Sequence, residues 1–208
     1  MLNVALRFTP VQCLLLSILS AGFTSPARSA EASDTAAQIA AALLPLPESM
    51  RAGATVVSRG EGGKISVLRE GSNDIVCTSD HTRDQIFYVN CFHKLIVALR
   101  NRSAEVAAEL RRAGKTADQK VVFDLIDQEI KAGKLKLPDH PVMGFQMRGP
   151  LSGYNPATNT VSSEIKTWQM VEIPYATAAS LSLPEESKPG IPWVMFPGTW
   201  DAHIMIEH

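Results

Sequence analysis

Asp201 and His203 are the residues of this chain most readily read as chemistry. They stand two apart in Trp200-Asp201-Ala202-His203, and an acidic side chain that orients an imidazole makes a general base. Upstream, Asp80, His81, Asp84 and His93 lie around two cysteines, Cys77 and Cys91. A small hydrolase could use His203 with Asp201, joined by His81 or His93 if the tail packs near the cysteine segment. No nucleophile is marked, however. The structural alternative is that Asp80 and Asp84 are turn residues and that His203 is a packed or hydrogen-bonded strand residue.

Two other patterns carry less. His140, Met143 and Met147, with Met195, His203, Met205 and His208, are residue types that suit copper, but methionines in alternating apolar runs more commonly fill a core. No closely spaced ligand repeat occurs, so no metal and no cofactor is expected. Ser163-Glu164-Ile165-Lys166 matches the S-x-x-K acylation motif, yet it leads into a strand and its companion motifs are missing. The aromatic residues are a better lead. Trp193, Phe196 and Trp200 cluster in the tail, with Tyr154 and Tyr175 in or beside loops. Exposed rings of this kind grip a sugar, a peptide or a protein; the alternative is that Trp193 and Trp200 cap the core.

Charge gives no direction to the choice of partner. The chain has 20 basic and 21 acidic residues, with no basic stripe for nucleic acid and no polybasic membrane patch. The first 32 residues read as a secretory signal peptide. Arg7 precedes a short apolar run at 11–21, then small and polar residues lead to Ala30-Glu31-Ala32, an A-x-A cleavage site before Ser33. That run is too short for a spanning helix of about 20 apolar residues, so no membrane insertion is expected after cleavage. Cys13 would leave with the signal. Residues 33–208 then form one domain, large enough for its own core. Export favours a Cys77–Cys91 disulfide, which by loop entropy contributes about 3 kcal/mol.

The elements that must position these groups follow from periodicity. Residues 36–44 suggest a short helix capped by Ser33 or Asp34 and stopped by Pro45 and Pro47. Short β-branched runs at 54–58, 64–69, 75–77 and 86–91, joined by polar turns, predict an antiparallel meander. In it Cys77 and Cys91 share one side. From His93 the period turns helical: Leu95, Leu99, Val106 and Leu110 make one stripe, and Val122, Leu125, Ile126 and Ile130 a second, with Thr116 to Gln119 as a capping box between them. Two helices on so short a link predict an αα-hairpin covering the sheet. Further strands are expected at 141–148, at 166–173 and on either side of Pro197-Gly198, with 149–163 as a loop and 176–183 as one or two helical turns.

The tail GIPWVMFPGTWDAHIMI and the segments VCTSD and FYVNCFH together resemble uncharacterised exported proteins of bacteria. The resemblance spans most of the mature chain. It implies a periplasmic or secreted location and lends no catalytic residue, because no activity comes with it. The expected protein is therefore an exported α+β domain that binds a ligand or protein partner without catalysis, through Trp193, Trp200, Tyr154 and adjoining loops. The alternative is the small hydrolase of His203 and Asp201.

Overall fold

A computed structural model describes residues 26–60, 64–79 and 85–208, with side chains from residue 34 onward. The first 25 residues, most of the expected signal peptide, lie outside the described residues. So do the turn at 61–63 and the stretch 80–84, which holds Asp80, His81 and Asp84.

The fold is α+β, built on one large and mostly antiparallel sheet. In chain order come α1 (Pro26–Ala42), α2 (Glu48–Arg51), β1 (Thr55–Arg59), β2 (Ile65–Arg69), β3 (Ile75–Ser79), β4 (Ile86–His93), α3 (Lys94–Arg112), α4 (Gln119–Lys131), β5 (Val142–Pro150), β6 (Tyr154–Asn155), β7 (Thr160–Val161), β8 (Lys166–Glu172), α5 (Ala178–Leu181), β9 (Trp193–Met195) and β10 (His203–Glu207). Eight strands form the sheet in the order β2-β1-β3-β4-β5-β8-β10-β9, while β6 and β7 make a separate ribbon inside the expected loop. Among the described residues, no helix is long and apolar enough to cross a membrane.

The first four strands are not a simple meander. β1 pairs antiparallel with β2 and parallel with β3, so β2 is pushed to the sheet edge. Composition explains which strand goes outward. β3 is buried at four of its five positions, whereas Ile65 and Val67 of β2 remain 39% and 53% exposed. The chain steps from β2 across the start of β1, where Ser72 and Asn73 donate their backbone N–H groups to the Gly53 carbonyl. Gly71 makes the crossing feasible, since a Cβ there would lie 2.3 Å from the Thr55 nitrogen.

Strand register sorts side chains into two faces. Val56, Cys77, Cys91 and Phe145 stand opposite one another in successive strands. That row holds the Cys77–Cys91 disulfide, with Cα atoms 4.0 Å apart. It packs with Ala42, Leu43 and Leu46 at the end of α1. The helix starts at Pro26, ten residues before the expected start, and includes Ala30 to Ala32; its buried residues Ala41 and Ala42 lie well beyond the expected cleavage point.

The other face carries the row Phe92, Gly144, Met170, Met205 and Trp193. Ile96, Leu99 and Val106 of α3, with Val122 and Ile126 of α4, join that row in one apolar cluster. Arg102 of α3 donates to both carboxylate oxygens of Glu129 on α4, the closest at 2.8 Å. α4 begins at Gln119 with Asp118 as its N-cap residue, two residues later than the Thr116 capping box would place it.

Candidate functional site

Next to the Phe92 row, still on the face of α3, lies a row that carries charge. Glu172 follows Met170 by two residues and His203 precedes Met205 by two, so both share the apolar face, and they stand directly opposite each other in β8 and β10. Both are buried, Glu172 to 1% exposure. A buried carboxylate needs a partner, and α3 supplies it. Arg100, one turn beyond Ile96, lays its guanidinium 4.1 Å over the Phe92 ring, a cation–π placement. From there Nη2 donates to both Glu172 oxygens at 3.1 and 3.2 Å, while Nε donates to Asp201 Oδ1 at 2.9 Å.

Asp201 is brought in by the turn before β10. Gly198 takes positive φ in that turn. Thr199 Oγ1 donates to the Phe196 carbonyl, and the Asp201 backbone N–H donates to the same hydroxyl. Trp200, 1% exposed and packed on Phe123, anchors the turn.

The electrostatics follow from burial. Burial pushes Glu172 up to about 7, with the Asp201 charge adding to it and the Arg100 guanidinium opposing. Burial and then Arg100 hold His203 below the ordinary imidazole range. The neutral ring's Nδ1–H therefore donates to the Asp201 carbonyl oxygen, 2.7 Å away, leaving Nε2 with its lone pair. For Arg100, burial alone disfavours the cation, but the two carboxylates outweigh it and its pKa is raised. Glu172, Asp201 and His203 present ligand atoms within 4.8 Å of one another. The cation those carboxylates hold is the arginine.

The cluster forms one end of a groove of about 630 Å³ on the open sheet face. Following β4 outward from Phe92, the floor turns from apolar to polar: Asn90 lies opposite Gln146, and Tyr88 opposite Arg148. The Tyr88 hydroxyl donates to Gln146 at 3.2 Å, and Arg59 reaches in from β1 to donate to Asn101 of α3 at 2.8 Å. Met170, Met195, Phe196 and Met205 line the apolar half.

The structure thus brings His203 and Asp201 together, but not as an acid–imidazole pair. The Asp201 carboxylate is held by Arg100, and only its backbone carbonyl touches the ring. His93 is elsewhere: it caps α3, Nδ1 accepting from the Leu95 N–H, with Nε2 3.7 Å from Asp74. Trp193 and Trp200, at 7% and 1% exposure, are core residues and offer no ring face to solvent. Tyr154 stacks on Phe87 of the disulfide-bearing face, away from the groove. The histidine and methionine set divides likewise: Met143 and Met147 pack on the disulfide side, His140 is exposed, and Met195 and Met205 line the groove.

Sequence reading missed Arg100, which lies outside the apolar stripe of its helix, and the roles of Arg59 and Arg148. One signal pointed to the cluster. Glu172 continues the alternation of Trp168 and Met170, and a carboxylate in that position demands a cation. Compared with known protein families, with curated proteins and with solved structures, the chain finds no match.

Proposed function

We propose that this is an exported, non-enzymatic binding protein whose ligand lies in the groove on the sheet, under α3. The groove itself carries the proposal. At about 630 Å³ it falls within the size range of small-molecule sites, roughly 300–1,000 Å³, and pairs an apolar floor with a few convergent polar groups, as such sites do. α3 roofs one side of it through Val97, Arg100 and Asn101. The tail contributes Met195, Phe196 and His203 to the wall, so the expected role of the tail in binding passes from its tryptophans to these neighbours.

Catalysis is the poorer fit to this geometry. A hydrolase built on His203 would want the Asp201 carboxylate on its ring, and Arg100 holds that carboxylate instead. Export is supported by the signal-like N-terminal sequence and by the disulfide, which persists in oxidising compartments.

The test is binding of the neutral dye N-phenyl-1-naphthylamine, whose fluorescence rises in apolar sites. Wild type should bind it, and Val97→Trp, which inserts an indole into the groove from α3, should weaken binding at least tenfold. Equal binding by the two proteins, or no binding by wild type, would count against the groove.

A further inference from the structure

We propose that the groove is built for an amphipathic anion: a molecule with a carboxylate or similar oxyanion head and an apolar body. This rests on the groove being the binding site and names the class of ligand it takes.

The apolar half is clear. Phe92, Met170 and Met205 stand opposite one another across β4, β8 and β10, with Gly144 between the first two. Gly144 lets the Phe92 ring lie flat on the sheet, since a Cβ would come within 2.6 Å of that ring. Methionines adapt to irregular apolar shapes, so this floor accepts a chain or ring without demanding one outline.

The polar half carries the sign. Among the described residues, Arg148, exposed at the groove mouth, makes no ion pair, and Arg59 donates to the neutral amide of Asn101. Tyr88, Asn90 and Gln146 lie beside them and are neutral hydrogen-bonding groups. The one described carboxylate among the lining residues, Asp201, is already bound by Arg100 at the far end. Among the described residues the mouth therefore presents two cations without carboxylate partners. An arginine fork suits a carboxylate geometrically as well as electrically.

Length follows from the register. Tyr88 and Phe92 are four residues apart on β4, which at strand rise separates the Arg148 row from the apolar row by about 13 Å. A head at Arg148 and Arg59 thus leaves an apolar body of medium length to lie along the half-buried Val97, Met195 and Phe196, with the buried Phe92, Met170 and Met205 as the floor beneath them.

The experiment displaces N-phenyl-1-naphthylamine from wild type with three ligands sharing a ten-carbon chain: decanoate, decanol and decyltrimethylammonium. Decanoate should displace the dye at a concentration at least tenfold below decanol, with the cation weakest. In Arg59→Gln/Arg148→Gln the decanoate-to-decanol ratio should approach one. Equal displacement by all three ligands on wild type would overturn the anionic class and leave the groove standing. Decanoate preference that survives the double variant would also overturn it. Dye binding unaffected by Val97→Trp would instead remove the groove reading beneath it.

Discussion

Glu172→Gln separates two accounts of the buried cluster. Arg100 and Glu172 look like a stabilising ion pair, with the contact at 3.1 Å. Yet burial outweighs that attraction, and the carboxyl titrates at about 7 in the fold against 4.5 for its ordinary value. A carboxyl with a raised folded-state pKa binds protons more tightly folded than unfolded. Its contribution is therefore full below pH 4.5 and is lost as pH rises through 7. Between pH 5 and pH 8 this one group should remove about 2–3 kcal/mol of stability. His203 works the opposite way: its pKa is lowered by burial, so its contribution is lost on acidification below 6.5. At pH 8 the ring, 3.7 Å from Glu172, is neutral both folded and unfolded, so the difference there reports Glu172 alone. Glutamine resembles the protonated acid, so E172Q should lie within about 1 kcal/mol of wild type at pH 5 and exceed it by about 2 kcal/mol at pH 8. Urea denaturation of both proteins at the two pH values, at equal ionic strength, measures the difference. If E172Q is instead less stable than wild type at pH 8 by several kcal/mol, the ion pair dominates burial and the reasoning fails.

Two further outcomes follow from packing and connectivity. Replacing both cysteines, Cys77→Ala/Cys91→Ala, should cost about 3 kcal/mol for a loop of this length, and reduction of wild type should approach the same urea midpoint; an unchanged midpoint in both cases would show that the α1 side holds without the bond. Gly144→Ala should cost about 1–3 kcal/mol by overpacking, because its Cβ would meet Phe92 at 2.6 Å. Adding Phe92→Leu should recover part of that loss, and additive costs in the double variant would mean that the two residues do not share the strain.

Sequence alone determined what local periodicity can carry. The helical stripe of Leu95, Leu99, Val106 and Leu110 recurs as α3, with Ile96 rather than Leu95 fully buried beside Leu99 and Val106, and the alternation expected over 166–173 recurs as β8, because side chains at helical or strand spacing must share a face to be buried. The disulfide was legible too, from two cysteines on one side of expected neighbouring strands in a chain expected to be exported, and the Pro197-Gly198 turn between β9 and β10 from its residues. What tertiary structure decided was which faces meet. Sequence neighbours suggest a hairpin but not the side on which the next strand joins, so the placement of β3 beside β1 depended on burying the more apolar strand. The same holds for the functional face. Asp201 and His203 stand two apart in sequence, but their partners Glu172 and Arg100 arrive from β8 and α3, 29 and 101 residues before Asp201 in the chain. Burial sets the state of all four together. No local pattern could announce that the Asp201 carboxylate would turn to an arginine rather than to the imidazole two residues away.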